Sequence, residues 1–432
     1  MKYFIKTYGC QMNINDSEKM GGILVKKGYI PTDKEEEADI FIINTCSVRE
    51  KAKEKLFSYL GRLKKFKQKK GVKIIVAGCV SQLEKDNIKK RAPYVDILIG
   101  TNSYFKLKDV MDKRDYSDFQ FYRDWKEIDS QPVRRQNFSA YITIMEGCDS
   151  FCTYCVVPFS RGRERSRPMS YILKEVEKLE KEGYKEIQLL GQNVDAYVDP
   201  ETGGRLDKLL EKIAVNSKIP WVRFLTSHPA KFSIDIVKIM KDYRSILRAI
   251  HIPFQAGGDK VLKLMNRGYT RGEYLKLMDS IKKIIPDIAL STDIIVGFPG
   301  ETNKDFEKTV EILKYVEYEN IFSFKYSPRP GTKAFNYDDN IPDKEKTERL
   351  IMIQELQKNI QLKNNRKKIG KIFKILTEVK NRRDESQLVG RIESGRIVNV
   401  KGADKIGEFY DVLIEGVGPH NLKGKVVNKK GG

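Results

Sequence analysis

Residues 139–155, "SAYITIMEGCDSFCTYC", join a run of strand-favouring residues to a glycine and three closely spaced cysteines. The run predicts a β-strand because β-branched and aromatic residues favour strands. Cys148, Cys152 and Cys155 follow it at the spacing Cys-x3-Cys-x2-Cys. A structural zinc site takes four ligands, commonly in close pairs, and the nearest histidine in the sequence is the distant His228. Three thiolates instead suit a 4Fe–4S cluster that keeps one iron open.

Downstream of this segment, strand patterns alternate with helical patterns. The further strands are "EIQLLGQ", "VRFLTS", "RAIHIPF", "IALSTDIIVGF" and "NIFSFKYS". Six such units predict a (β/α)6 barrel, complete or partial, with its binding groups at the carboxyl ends of the strands. A long charged helix is predicted over 342–368. We place this central domain at residues 126–368.

Upstream, residues 1–125 also alternate between short apolar strands and helices, which predicts an open parallel sheet. A polar segment at about 113–137 breaks the pattern and is interpreted as a linker. Cys10, Cys46 and Cys79 each follow a predicted strand, so they meet at one edge of the sheet and form a second trio of thiolates. The alternative is three unrelated buried thiols, since free cysteine packs as a small apolar residue.

Residues 369–432 carry short strands separated by glycines and charged turns, and they predict a five-stranded all-β barrel. Residues 361–432 hold 17 Lys and Arg against 8 Asp and Glu, in a chain of net charge +22. Such an excess favours a polyanionic partner, most simply nucleic acid. The alternative is an ordinary solvated surface, because many lysines lie in Glu/Lys helices such as "EVEKLEKEGYK".

Composition also narrows the cellular setting. No apolar run approaches the ~20 residues that span a bilayer, and the polar N-terminus does not match a signal peptide. We therefore expect a cytoplasmic protein without a membrane partner. In a reducing cytosol the six cysteines are not expected to form a disulfide framework.

The motifs carry a resemblance. The cysteine loop, with an aromatic before its last cysteine, resembles the radical S-adenosylmethionine (SAM) enzymes. "TYGCQMN", "NTCSVRE", "LLGQNVDAY", "HIPFQAGG" and "STDIIVGFPGET" together resemble the methylthiotransferase family, and most closely its MiaB-type branch, which acts on tRNA. The likeness covers essentially the whole chain. It implies an α/β protein with an N-terminal open parallel sheet, a central partial (β/α)6 radical SAM barrel and a C-terminal TRAM barrel, which is OB-like.

The resemblance also implies a reaction and its cofactors. A methylthio group would be transferred to carbon 2 of N6-isopentenyladenosine next to the anticodon, with two SAM molecules and two 4Fe–4S clusters. Cys10, Cys46 and Cys79 would hold the auxiliary cluster, and the later trio the radical SAM cluster. The implied partners are a tRNA anticodon stem–loop, an external low-potential electron donor and a sulfur source. The sequence offers no acid–base constellation, so the cofactors would carry the chemistry.

Further site residues follow from the same likeness. The residues expected to bind SAM lie in the cysteine loop or along and after later strands: Tyr154, Gln192, Asn193, Ser227, Gln255 and Asp293. The residues expected to contact the substrate lie in "RGRERSRP" and beside the first cysteine: Arg161, Arg163, Arg165, Arg167 and Met12.

Two other functions stay open at this point. Sister families modify threonylcarbamoyl-adenosine in tRNA or a ribosomal protein, and they would keep the chemistry while changing the substrate. The second alternative is a non-catalytic iron–sulfur RNA-binding protein or an electron carrier, and an electron carrier would not need open irons, a barrel or residues at the SAM edge.

Overall fold

Parallel strands build the N-terminal part of the computed structural model, which describes residues 1–47, 50–122, 124–125 and 131–428. The strands are β1 (Lys2–Tyr8), β2 (Ile30–Pro31), β3 (Ile40–Thr45), β4 (Lys73–Ala77), β5 (Ile97–Ile99) and β6 (Tyr116–Asp118). Their order in the sheet is β2-β1-β3-β4-β5-β6, and every pairing is parallel. The predicted open parallel sheet is confirmed.

Helices cover both faces of this sheet. They are α1 (Gln11–Lys26), α2 (Glu50–Lys70), α3 (Cys79–Glu84), α4 (Asn87–Arg91) and α5 (Leu107–Val110). Along β3, Ile40 and Ile42 pack into one apolar cluster, while Phe41 and Ile43 pack into another on the opposite face. A strand buried on both faces has no polar side, which is why β3 reads as a continuous apolar run.

The predicted linker at 113–137 is wrong at its start. Tyr116–Asp118 is the edge strand β6, paired in parallel with Ile97–Ile99, and Trp125 is buried in the N-terminal core. A three-residue strand among charged residues has too short a pattern to recognise. Polar contacts fix it instead: Ser103 Oγ and Tyr122 Oη donate to the Asp118 carboxylate at 2.9 and 2.8 Å. Parts of "NTCSVRE", of the linker and of the tail lie outside the described residues, at 48–49, 123, 126–130 and 429–432, and the three domain limits stay predictions.

Six parallel strands and a small hairpin form the central part. The strands are β7 (Ser139–Thr143), β8 (Met145–Glu146), β9 (Arg165–Ser166), β10 (Glu186–Leu190), β11 (Trp221–Phe224), β12 (Ala249–His251), β13 (Ala289–Val296) and β14 (Asn320–Lys325). β8 and β9 pair as the hairpin, and the other six form two sheets, β11-β10-β7 and β12-β13-β14. A parallel bridge between Val222 and Ile246 joins the two sheets at β11 and the segment just before β12. Within the described residues β7 and β14 are then the edge strands, so the predicted barrel is partial and open along one side.

The helices of the central part lie outside the barrel or follow its loops. They are α6 (Val157–Arg161), α7 (Met169–Lys181), α8 (Leu206–Asn216), α9 (Ile234–Asp242), α10 (Asp259–Leu264), α11 (Arg271–Ile284), α12 (Asn303–Val316) and α13 (Asp343–Arg366). The long helix α13 packs along β14. It corresponds to the charged helix predicted over 342–368. No helix in the described ranges has both the length and the apolar character that crossing a bilayer demands.

A closed five-stranded barrel ends the chain, as predicted. Its strands are β15 (Ile372–Lys380), β16 (Gln387–Arg391), β17 (Ile397–Lys401), β18 (Phe409–Val417) and β19 (Asn421–Asn428). It packs on the amino ends of the central strands. Arg391 Nη2 lies 3.1 Å from Glu186 Oε2, and the Trp221 and Phe409 rings meet edge to face at 4.9 Å. The basic module therefore sits opposite the carboxyl ends of those strands.

Candidate active site

Hydrogen bonds fold the loop after β8, which carries Cys148, Cys152 and Cys155. Gly147 has φ +80°, and a Cβ there would lie 2.1 Å from the carbonyl oxygen of Arg163, so the position requires glycine. Gly147 N donates to Gln192 Oε1 at 2.6 Å, and Cys155 N donates to the Cys152 carbonyl at 3.0 Å. Withdrawal from water, followed by the nearby Cys152 sulfur, raises the pKa of Cys155 to about 12. The thiols are thus close enough to act on one another electrostatically.

Arg267 contacts this trio although the sequence analysis did not single it out. The buried guanidinium donates from Nη1 to Cys152 Sγ at 3.2 Å and from Nη2 to the Pro253 carbonyl at 2.8 Å. A buried cation is thus in direct contact with one sulfur of the trio. The only sequence signal was its position in "LMNRGYTR", just after "HIPFQAGG", because the two partners are 115 residues apart.

The second trio lies at the carboxyl edge of the N-terminal sheet. Cys10 precedes α1, Cys46 follows β3, and Cys79 begins α3. A hydrogen bond with Cys46 is the main cause that lowers the pKa of Cys10 to about 5, and the nearby Arg161 guanidinium lowers it further. Arg161 also interacts electrostatically with Cys79. The structure brings these three cysteines around one region, and their assignment as cluster ligands stays a prediction.

The donor chemistry of both regions fits an iron–sulfur cluster, since each offers thiols and clusters are held by thiolates. Among the described side chains, no group of three or more His, Cys, Asp or Glu is arranged around a single ion. Buried polar atoms also fit a polar cofactor above the barrel. Within the described residues, Asn193 Nδ2 and Oδ1 and Gln255 Oε1 have no hydrogen-bond partner. Buried amides normally have partners, so these two are suited to an incoming polar ligand such as SAM.

The other residues expected to bind SAM already have partners in the protein. Gln192 accepts from Gly147, as described above. Ser227 Oγ donates to Asp195 Oδ1 at 3.1 Å, Asp293 Oδ1 lies 3.4 Å from His251 Nε2, and the Tyr154 ring packs edge to face on Phe298. All lie at the carboxyl half of the barrel or in the cysteine loop, and among these described residues only Asn193 and Gln255 have buried amide atoms without a hydrogen-bond partner.

Asp195 is a second residue that the sequence analysis missed. It accepts from Ser227 Oγ and from His228 N, the latter at 2.7 Å, and it ties the loop after β10 to the loop after β11. Burial raises its pKa to about 7. Its position within "LLGQNVDAY" was the available signal.

Three of the four arginines in "RGRERSRP" are engaged in buried ion pairs. Arg161 Nη2 donates to Asp16 Oδ2 at 2.7 Å. Arg165 pairs with Glu146, and Arg167 pairs with Glu175. Arg163 alone of the four has a largely exposed side chain, 65% accessible. Direct contact with a substrate phosphate remains a prediction for all four arginines. Arg163 is the most accessible of them, whereas the charges of the other three already face protein carboxylates.

Helix α6 connects the two cysteine trios. It begins two residues after Cys155 and packs against α3, which starts at Cys79. Thr101 Oγ1, from the N-terminal domain, donates to the Ser160 carbonyl at 2.6 Å. Met12 is buried where the N-terminal and central parts meet, with its sulfur 3.9 Å from Thr143 Oγ1. We call this contact region the seam. One short helix and the pair Asp16–Arg161 thus join the segments that carry the two trios.

A partial parallel barrel with this cysteine loop after its first strand defines a radical SAM enzyme. Family models agree along the chain: "Uncharacterized protein family UPF0004" matches residues 2–100, "Radical SAM superfamily" residues 142–313 and "TRAM domain" residues 366–427. The cofactors of this class are SAM and a 4Fe–4S cluster.

Curated relatives identify the family. Proteins named "tRNA-2-methylthio-N(6)-dimethylallyladenosine synthase" are 43% identical in Thermodesulfovibrio yellowstonii, over 98% of each chain, and 44% identical in Sulfurihydrogenibium sp., over 99% of each. The Thermotoga petrophila protein of that name is 41% identical over 99% of this chain and 97% of its own. The chain belongs to the family of tRNA-2-methylthio-N(6)-dimethylallyladenosine synthases, which confirms the resemblance seen in the motifs.

Solved structures with the same fold are more distant. The cobalamin-dependent SAM radical enzyme OxsB, with aqua-cobalamin and SAM bound, aligns with a TM-score of 0.55 over 81% of this chain and 56% of its own, at 13% identity. The radical SAM methyltransferase TsrM from Kitasatospora setae aligns with a TM-score of 0.54 over 77% and 76%, at 11% identity. At these identities the likeness concerns the fold alone.

Proposed function

We propose that this chain transfers a methylthio group to carbon 2 of N6-isopentenyladenosine (N6-dimethylallyladenosine) beside the anticodon of tRNA. The observation that carries the proposal is the presence of two cysteine trios whose segments are joined by α6, in a chain of the synthase family. The family reaction would use one trio for the radical SAM cluster and the other for the auxiliary cluster. An RNA-binding protein without catalysis needs neither the second trio nor the unpaired amides of Asn193 and Gln255.

Side chains cannot supply this chemistry. Cys148, Cys152 and Cys155 would hold a 4Fe–4S cluster that with SAM would supply a carbon-centred radical, and Cys10, Cys46 and Cys79 would hold the auxiliary cluster, which would present the sulfur. The chain itself binds and orients. Arg267 donates a hydrogen bond to the Cys152 sulfur, and the amides of Asn193 and Gln255 are placed to hold the polar groups of SAM. The Gln192 side-chain oxygen holds Gly147 and so orients the cysteine loop.

The basic C-terminal barrel is the part of the chain that we assign to phosphate contacts with tRNA. It lies at the amino ends of the barrel strands, whereas the cysteine loop lies at their carboxyl ends. An RNA that reaches both must therefore run along the outside of the central barrel. An external low-potential electron donor, a sulfur source and a cytoplasmic location complete the proposal.

The substrate is tested with anticodon stem–loops that carry unmodified, isopentenyl or threonylcarbamoyl adenosine, and with a ribosomal-protein peptide as control. Burying the five carbons of the prenyl group contributes about 2–4 kcal/mol at ~0.8 kcal/mol per carbon. We expect the prenylated loop to be preferred by roughly 30- to 1,000-fold in kcat/KM, measured as methylthio product by nucleoside mass spectrometry. Preference for the threonylcarbamoyl loop or the peptide would assign the chain to a sister activity.

A further inference from the structure

Exposed aromatic rings are concentrated at the end and the open side of the barrel near the loop that carries Cys148, Cys152 and Cys155. Seven Phe and Tyr side chains in the described residues are among the exposed large apolar ones. Five of them lie in the cysteine loop, in α6, on the edge strand β14 or in the loop that follows it: Phe151, Phe159, Phe322, Phe324 and Phe335. Scattered apolar residues on a surface are ordinary, but a concentration at one face marks a binding site.

Two of these rings point into the open barrel. Side chains alternate along β14, and Ile321 packs into the apolar core while Lys325 Nζ binds Asp343 on α13 at 2.7 Å. Phe322 and Phe324 therefore point to the other side, where they stay 45% and 44% exposed.

The neighbours of Phe322 confirm this direction. Phe322 is in register with Asp293 on β13, and its ring meets the His251 ring edge to face at 5.8 Å. His251 in turn contacts Asp293 and Ser291, which lie on the lumen side of β13. Because β14 has no further strand beside it, both rings border the open side of the barrel.

This edge is continuous with the cysteine loop. After β14, Ala334 N donates to the carbonyl of Thr153, between Cys152 and Cys155, at 2.8 Å. Phe335, the next residue, is 47% exposed, and Lys333 is exposed as well. We call Phe322, Phe324 and Phe335 the aromatic edge.

We propose that the aromatic edge is the surface on which the bases of the anticodon loop stack, with Phe322 and Phe324 contacting the prenylated adenosine. The inference rests on the proposed function and specifies where the RNA enters. Single-stranded RNA is bound by stacking its bases on aromatic rings beside cationic side chains. Here the rings border the side through which a large substrate can reach the barrel, Lys333 supplies a cation, and the His251–Asp293 pair offers polar atoms beneath Phe322.

The adenine of SAM is the competing occupant. The unpaired amides of Asn193 and Gln255 already provide a polar cradle for SAM within the barrel. A small cofactor held there does not require a row of rings that extends along the edge strand and into the next loop. An RNA loop with several unstacked bases does need such a row of aromatic rings.

The test uses full-length, anaerobically reconstituted protein and its Phe322→Ala and Phe324→Ala variants. Tyr315→Ala is the matched control, because this ring is also exposed, at 58%, but lies on α12 outside the barrel. Affinity is measured by fluorescence anisotropy for stem–loops with isopentenyl-adenosine. We expect each Phe→Ala change to weaken binding about 5- to 100-fold, the range of one lost base–aromatic stack. Phe324→Tyr should retain the affinity, and Tyr315→Ala should leave it unchanged.

A second readout separates stacking from misfolding. A stem–loop with 2-aminopurine at the modified position should lose fluorescence on binding to the parent protein and regain it with the two alanine variants. Unchanged affinity and quenching in both variants, or a loss confined to SAM binding, would overturn the proposal. If the parent protein itself did not bind the prenylated stem–loop, the proposed function would fail instead, so the two failures are distinguishable.

Discussion

Replacing Arg161 with methionine tests whether the seam between the two cysteine trios is held by a buried ion pair. Arg161 and Asp16 lie 2.7 Å apart, and each side chain is only 3% exposed. Removing one partner of such a pair leaves the other charge buried without its hydrogen bonds, which costs about 3–5 kcal/mol. At about 2–4 °C per kcal/mol, the thermal midpoint of the transition that includes the seam should fall by roughly 6–20 °C.

The measurement is thermal unfolding of the full-length protein without clusters, followed by circular dichroism at constant pH. Lys181→Met is the control, because the pair Lys181–Glu177 is exposed, at 73% and 63%, and its loss should not shift the midpoint. The double variant Asp16→Asn/Arg161→Met should recover part of the loss, since it leaves no buried charge. The reasoning fails if Arg161→Met behaves like the control, or if the double variant is less stable than Arg161→Met.

Two further predictions concern the C-terminal barrel and the loop after β10. Lys401 and Lys425 face each other on the paired strands β17 and β19 and are exposed. Changing both to Gln should weaken tRNA binding and reduce the slope of log affinity against log salt by about 2, and an unchanged slope would exclude phosphate contacts of these two lysines. The raised pKa of Asp195, about 7, means that its protonated form favours the folded state. This contribution to stability is present below the unfolded pKa of about 4 and is lost as pH rises to 7. Asp195→Asn should therefore flatten the plot of unfolding free energy against pH between about 4 and 7, and a plot identical to that of the parent protein would show that Asp195 is not the group that titrates.

The sequence predicted the parts of this molecule that local pattern determines. Buried parallel strands read as apolar runs, and glycine-separated short strands indicated the C-terminal barrel. The positions of the six cysteines predicted two trios, because the carboxyl ends of parallel strands lie at one edge of a sheet even when they are far apart in the chain.

Partners that are distant in the chain could not be predicted. Nothing in "RGRERSRP" shows that Arg161 is neutralised by Asp16, 145 residues away, rather than by a phosphate. Arg267 and Asp195 were missed for the same reason, since their roles depend on which loops the fold brings together. The edge strand β6 was taken for linker because three residues carry too little pattern to outweigh their charged neighbours.

The central claim is that two separate clusters act in one reaction, and the auxiliary trio tests it most directly. The variant Cys10→Ala/Cys46→Ala/Cys79→Ala is reconstituted anaerobically, and its iron is counted while 5′-deoxyadenosine and methylthio-nucleoside are measured. The parent protein should hold about eight irons and the variant about four. The variant should still form 5′-deoxyadenosine from SAM with a strong reductant, yet yield no methylthio product on the prenylated stem–loop. An unchanged iron content, or methylthio product without these three cysteines, would contradict the account.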